Sequence, residues 1–146
     1  MIQPNSQILE PTSPYSEQES IGLQVLVVED DAADAFLIRR ALDNHPRVDE
    51  VIHAWDGEEA LQLLGTGALT PDVAIIDLHM PRKNGFSLLI ELGCREEPQF
   101  ETVVFTSSRA SSDAIRSKLR GANHFLTKPD TLEEMEAAIA GIISAM

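Results

Sequence analysis

Aromatic side chains and cysteine are scarce in this chain of 146 residues. Aromatic residues make up 5% of it, and Cys94 is the one cysteine. Aliphatic side chains must therefore fill the core, and a single thiol can form neither an internal disulfide nor a thiolate metal cluster. A chain without a disulfide framework is typical of a reducing compartment, so we expect a cytoplasmic protein.

Positive charge is also scarce, because 11 lysines and arginines stand against 24 acidic residues, for a net charge of −13. Binding to nucleic acid or to an anionic membrane surface needs a basic face, so this balance argues against both partners. No apolar run approaches the roughly 20 residues that span a bilayer. The N-terminus lacks the basic start and apolar stretch of a signal peptide. These features predict a soluble, acidic, intracellular protein.

The first 20 residues differ in composition from the rest. They contain three prolines, three glutamates and neither lysine nor arginine. Such a stretch cannot bury enough apolar surface to offset the entropy of ordering it. We therefore predict a flexible acidic N-terminal tail over residues 1–20 and one domain over residues 21–146. The hydrophobic fraction of 43% is sufficient for a core in that domain.

From Leu23 onward, short apolar runs alternate with amphipathic stretches. The pattern predicts five strands and five helices in alternation: strands over 24–28, 48–53, 72–77, 102–106 and 123–126, and helices over 32–42, 57–64, 86–92, 111–119 and 131–146. This order is typical of βαβ units, so we predict an α/β fold, a doubly wound parallel sheet with helices on both faces. Ligands of such sheets bind beyond the carboxyl ends of the strands.

Acidic and polar residues collect at those strand ends. Glu29 and Asp30 follow the first strand, Asp77 ends the third, Thr106 ends the fourth, and Lys128 follows the fifth. Carboxylates on neighbouring strand ends repel one another unless a cation joins them, and oxygen ligands suit a hard ion such as Mg²⁺. An aspartate beside Mg²⁺, a lysine and a hydroxyl is arranged for phosphoryl chemistry.

Two of the acids have simpler interpretations. Asp77 could merely cap the loop that follows its strand. Asp31, the third acid in its run, is expected to be a helix N-cap in preference to a metal ligand.

Several short motifs accompany these residues in a fixed order. They are Asp56-Gly57, Met80-Pro81 with Asn84-Gly85, Gly121-Ala122 and Lys128-Pro129. Together with the strand-end residues, they resemble the receiver (CheY-like) domains of two-component response regulators over roughly residues 23–146. The resemblance implies a flavodoxin-like (βα)5 fold with five parallel strands in the order 2-1-3-4-5.

The resemblance also implies roles at the strand ends. Asp77 would be the phosphoacceptor, whose carboxylate attacks the phosphohistidine of a sensor histidine kinase. Asp30 would bind Mg²⁺ directly, Glu29 would act through water, and the backbone carbonyl of His79 would complete the protein ligands. Lys128 would pair with the phosphoryl group.

Two further residues would form a switch. Thr106 matches the switch hydroxyl and Phe125 the switch aromatic, which lacks the phenolic hydroxyl of a tyrosine. The surface that changes would comprise the fourth helix, the fifth strand and the fifth helix, and it would bind the downstream partner. The side chain of His79 is expected to flank the pocket and tune the access of water. The family also leads us to expect a cis bond between Lys128 and Pro129.

These roles describe a stand-alone, single-domain response regulator that catalyses only its own phosphorylation and dephosphorylation. Residues 81–85 also resemble the single-domain regulators that are paired with phytochrome-type kinases. A phosphorelay intermediate, which passes phosphate to a histidine phosphotransfer protein, would use the same chemistry. An aspartyl-phosphate phosphatase of the haloacid dehalogenase type is disfavoured, because such enzymes have an acid/base aspartate where this chain has His79.

Overall fold

The computed structural model describes residues 22–67, 69–95 and 100–146. The tail predicted over residues 1–20 lies outside the described residues. Within them, no helix combines the length and the apolar character needed to cross a bilayer.

A five-stranded parallel sheet forms the centre of the domain, in the order β2-β1-β3-β4-β5. This confirms the predicted fold class and strand order. The strands are β1 (Leu23–Val28), β2 (Val48–Ala54), β3 (Val73–Ile76), β4 (Glu101–Thr106) and β5 (His124–Thr127). Because all pairs are parallel, the carboxyl ends of all five strands meet at one edge of the sheet.

Helices cover both faces of the sheet. They are α1 (Ala32–Asp43), α2 (Gly57–Gly65), α3 (Gly85–Gly93), α4 (Ser111–Leu119) and α5 (Leu132–Ser144). Alternate residues of β1 enter two separate cores, as expected for a strand buried on both faces. Val25 and Val27 pack with α1 and α5, whereas Leu26 and Val28 pack with α2 and α3.

The helices that follow β1, β2, β3 and β5 begin at the same edge and are capped there by short polar side chains. As predicted, Asp31 is an N-cap, since its carboxylate accepts a hydrogen bond from the backbone N–H of Asp34 at 3.0 Å. Asp56, Asn84 and Thr131 cap α2, α3 and α5 in the same way. Helix α4 begins after Ala110, which has no capping side chain.

The structure differs from the sequence-based expectations at two local points. Strand β3 ends at Ile76, so Asp77 is the first residue of the loop and not the last of the strand. No cis peptide bond occurs among the described residues, so the expected cis bond between Lys128 and Pro129 is wrong. The trans form is the lower-energy isomer of bonds that precede proline.

The loop after Asp77 folds back closely on itself at Gly85. The backbone N–H of Gly85 donates to the carbonyl of Leu78 at 2.8 Å. A Cβ at position 85 would lie 2.4 Å from the carbonyl oxygen of Asp77 and 2.8 Å from the Cα of Leu78. These are backbone atoms that cannot move aside cheaply, so the close approach requires glycine.

We therefore expect Gly85→Ala to lower the free energy of unfolding by about 1–3 kcal/mol, because an extra methyl would displace packed backbone. Gly141→Ala is the control, since nothing lies within 4 Å of a Cβ there and the residue is inside α5. It should raise stability by about 0.5–1 kcal/mol through helix propensity. Urea unfolding measures both changes, and parental stability of the Gly85 variant would contradict the close approach.

Candidate functional site

Three carboxylates lie together at the carboxyl edge of the sheet. Glu29 and Asp30 follow β1, and Asp77 follows β3, the strand paired with β1. One oxygen from each of the three lies within 4.8 Å of the others. Asp30 is exposed, whereas the side chains of Glu29 and Asp77 are 2% and 11% exposed. The structure therefore brings together the three acids that the sequence singled out.

This group of acids fits a divalent cation. Carboxylate oxygens without a thiolate or imidazole among them are the ligands that hard ions such as Mg²⁺ and Mn²⁺ prefer. One oxygen of Asp77 accepts from the N–H of Leu78 at 2.9 Å. Its other oxygen faces Lys128. The carboxylate is thus oriented by the backbone, with one oxygen directed into the pocket.

Backbone contacts also fix Glu29. Its N–H donates to the carbonyl of Ala54, and its carbonyl accepts from Nε2 of His53 at 2.8 Å. One carboxylate oxygen accepts from the N–H of Asp31 at 3.2 Å. The second carboxylate oxygen, Oε1, accepts from Nζ of Lys128. Sequence reasoning assigned no role to His53, and a histidine on an edge strand gives no signal of this contact.

The ammonium group of Lys128 lies within the acidic cluster. Its side chain is 6% exposed, and Nζ lies 2.6 Å from Glu29 Oε1 and 3.7 Å from Asp77 Oδ2. A third acid, Asp34, lies 2.8 Å from Nζ. Sequence analysis missed Asp34, because an acid in the first turn of a helix is expected for its interaction with the helix dipole alone.

Burial and neighbouring charges shift the pKa values of Glu29 and Lys128. The pKa of Glu29 is raised from 4.5 to about 7, because burial, helped by the charge of Asp77, outweighs the hydrogen bond from Lys128. Burial alone would lower the pKa of Lys128. Its hydrogen bonds to Asp34 and Glu29, with the charge of Asp77, outweigh that effect and raise this pKa above its usual value. Lys128 therefore keeps its positive charge, whereas burial favours the protonated form of Glu29.

Thr106 connects the site to two neighbouring elements. It is buried at the end of β4, and its hydroxyl oxygen accepts a long hydrogen bond, 3.4 Å, from the N–H of Ser108. The hydroxyl of Ser108 donates to Asp113 in α4 at 2.6 Å. The carbonyl of Ser108 accepts from the hydroxyl of Thr127 in β5 at 3.0 Å. A movement of Thr106 would reach both α4 and β5.

Phe125 and His79 lie outside the acidic cluster. Phe125 pairs in register with Val104 and packs, partly buried, against the core that includes α2 and α3. The side chain of His79 is 65% exposed, and its Nε2 lies 3.6 Å from a carboxylate oxygen of Asp113. This side chain therefore lies near the first turn of α4.

The loop after Asp77 is fastened to the start of α2. The guanidinium of Arg82 donates to the buried carboxylate of Asp56. The N–H of Gly57 donates to the carbonyl of Lys83 at 3.2 Å. Arg82 adopts the left-handed backbone conformation, with φ +62°. The motif Asp56-Gly57 thus holds the loop that leaves Asp77, a link that sequence reasoning did not anticipate.

Comparison with known sequences places this site in a family. The sequence model of the response regulator receiver domain matches residues 25–140. The chain belongs to this family. Receiver domains are signalling modules of two-component systems that interact with histidine kinases and downstream effectors, and they bind a divalent metal at the acidic pocket.

Three similar proteins illustrate the relationship. A probable transcriptional regulator, ycf27 of Porphyridium aerugineum, is 32% identical over 82% of this chain and 48% of its own length. The phosphorylated cyanobacterial phytochrome response regulator RcpA is 30% identical, with a TM-score of 0.76 over 83% of this chain and 91% of RcpA. The Mn²⁺-bound response regulator Rcp1 is 29% identical, with a TM-score of 0.74 over 84% and 92%.

The chain spans half or less of the length of several curated relatives that it matches. By contrast, it covers nine-tenths of RcpA and of Rcp1.

Titration of Glu29 gives a test of the buried cluster. The folded protein holds the Glu29 proton more tightly than the unfolded chain, so this stabilisation is complete below pH 4.5 and is lost as the pH rises through about 7. Relative to Glu29→Gln, the metal-free protein should therefore lose up to about 3 kcal/mol of unfolding free energy across that window. Urea unfolding with EDTA measures it, and a constant difference between the two proteins would refute the assignment.

Proposed function

We propose that this protein is a single-domain response regulator that accepts a phosphoryl group on Asp77 from a sensor histidine kinase and thereby switches the binding of a downstream protein. The observation that carries the proposal is the position of Asp77, whose pocket-facing oxygen lies among Lys128, Glu29 and Asp30 at the edge of the sheet. We place the receiver domain at residues 21–146.

In the proposed reaction, an oxygen of the Asp77 carboxylate attacks the phosphorus of a phosphohistidine. The P–O bond forms as the P–N bond breaks, and the departing imidazole takes up a proton. Lys128 Nζ, already 3.7 Å from Asp77, offers N–H donors to the phosphoryl oxygens. Glu29, Asp30, Asp77 and the backbone carbonyl of His79 would hold Mg²⁺, which when bound neutralises charge on the phosphoryl group.

The similarity to RcpA and Rcp1, over most of their lengths, supports a single-domain regulator. RcpA is described as a phytochrome response regulator, which favours a phytochrome-type kinase as the donor here. The net charge of −13 disfavours nucleic acid and anionic membranes as partners. We place the protein in the cytoplasm, and we assign it no catalysis beyond its own phosphorylation and dephosphorylation.

A phosphorelay intermediate would carry out the same step at Asp77 and then pass phosphate to a histidine phosphotransfer protein. Transfer from isolated phosphorylated protein to such a partner distinguishes the two roles. A phosphatase of the haloacid dehalogenase type would need an acid/base aspartate at position 79. The exposed histidine at that position disfavours it.

Switching would begin at Thr106. Its hydroxyl would donate to a phosphoryl oxygen on Asp77 by moving inward. That movement would displace Ser108, which is hydrogen-bonded to Thr106 and contacts both α4 and β5. The partly buried ring of Phe125 can then turn further inward. Burial of the ring contributes up to about 2 kcal/mol, so phosphorylation would shift the ratio of two populated states. We place downstream partner binding on α4, β5 and α5.

Asp77→Asn should abolish labelling by acetyl phosphate or by the cognate kinase, because an amide oxygen does not form the acyl phosphate. Asp72→Asn is the matched control at the opposite end of β3, where the amide oxygen can still accept from the N–H of Gln24. Autoradiography or intact-mass measurement detects the label. Full labelling of the Asp77 variant would overturn the proposed function.

Thr106→Ala should leave labelling of Asp77 largely intact while uncoupling it from α4 and β5, because only the hydroxyl is removed. The measurement is the NMR shift change on adding beryllofluoride, which mimics the phosphoryl group. Residues 109–126 should respond in the parent and in Thr106→Ser, and far less in Thr106→Ala. An equal response in the alanine variant would show that coupling does not pass through Thr106 and Phe125.

A further inference from the structure

Asp34 is a fourth acid at the site and does not belong to the group of carboxylates that fits a cation. That group comprises Glu29, Asp30 and Asp77 among the described residues. Asp34 lies in the first turn of α1, with its side chain 31% exposed, and its Oδ2 accepts from Lys128 Nζ at 2.8 Å. It therefore contacts the lysine of the site from the helix side.

The distances around Nζ of Lys128 show which carboxylates its ammonium group contacts. A lysine ammonium has three N–H donors. Glu29 and Asp34 accept from it at 2.6 and 2.8 Å, whereas Asp77 lies 3.7 Å away, beyond hydrogen-bond length. The ammonium of Lys128 thus lies on the side of β1 and α1, although the proposed phosphoryl group would form on Asp77, on the side of β3.

We propose that Asp34 is a positioning residue that holds the ammonium of Lys128 towards α1 in the unphosphorylated protein and competes with the phosphoryl group for the position of that ammonium. This inference rests on the proposed phosphorylation of Asp77. A phosphoryl group on Asp77 has to draw the ammonium towards β3, which weakens the pair with Asp34. Phosphorylation would then leave a less compensated carboxylate on the surface of α1, a second consequence besides the movement of Thr106.

The sign of the effect follows from charge. Loss of the Asp34 charge weakens the attachment of the Lys128 ammonium to α1 and removes a negative charge near the site, and both changes favour an anion on Asp77. At saturating Mg²⁺, Asp34→Asn should therefore tighten binding of beryllofluoride by about threefold or more, a modest factor because the pair is partly exposed. Asp34→Glu should restore affinity towards the parental value.

Asp31→Asn is the matched control. It removes the same charge from the start of the same helix, and its amide oxygen can still cap α1. Because the described contacts of Lys128 do not include Asp31, this variant should change beryllofluoride affinity by less than half as much. Equal effects of the two variants would show that general charge, and not the contact with Lys128, is responsible.

The second readout is the ¹⁵N resonance of Lys128 Nζ in the protein with EDTA. Asp34→Asn should shift it, whereas Asp31→Asn should leave it in place, and beryllofluoride with Mg²⁺ should move the parental signal in the same direction as Asp34→Asn does. An Asp34→Asn variant with unchanged or weaker beryllofluoride affinity overturns the competition while the proposed function stands. A parent that takes up neither label nor beryllofluoride overturns both.

Discussion

Three acidic side chains, those of Glu29, Asp34 and Asp77, lie around one ammonium group at the carboxyl edge of this sheet, and the ammonium of Lys128 stabilises that arrangement. Two of the acids, Glu29 and Asp77, are largely buried and would repel each other in a medium that screens charge poorly. Lys128 and Glu29 are 99 positions apart in sequence, so their ion pair forms only when β1 and β5 are in place. Removal of one partner of such a buried pair typically costs about 3–5 kcal/mol, because the other charge is left uncompensated.

The fold supplies this pocket without any special element. Parallel pairing brings the carboxyl ends of all five strands to one edge, and the helices that follow begin there. What is particular to this chain is how the loop after Asp77 is held. Gly85 lets that loop pass within contact of the Asp77 backbone, and Asp56 secures it through Arg82. The backbone around Asp77 is therefore held in place, while one carboxylate oxygen faces Lys128.

The sequence was sufficient for the strands, since continuous β-branched runs such as residues 24–28 and 73–76 have few other interpretations. It was also sufficient for the acids of the cluster, because a parallel sheet brings successive strand ends together. It could not reveal Asp34 or the pairing of Arg82 with Asp56, since an acid in a first helical turn and an arginine in a loop are ordinary surface features. The cis bond at Pro129 was inferred from family resemblance alone, and no local interaction required it.

The connection between Lys128 and Thr106 suggests why a single added group can move a whole surface. The N–H of Lys128 donates to the carbonyl of Thr106 at 2.7 Å, so the two residues that would contact a phosphoryl group are already joined through the backbone of β4 and β5. Nζ needs to move only about 1 Å to reach charge-assisted hydrogen-bond distance on the β3 side. Since Thr106 and Lys128 would be drawn towards the same point, their displacements would add along one backbone contact, and α4 would follow through Ser108. A small local shift is thereby directed to one face of the domain, while the hydrophobic cores on both sides of the sheet keep the rest in place.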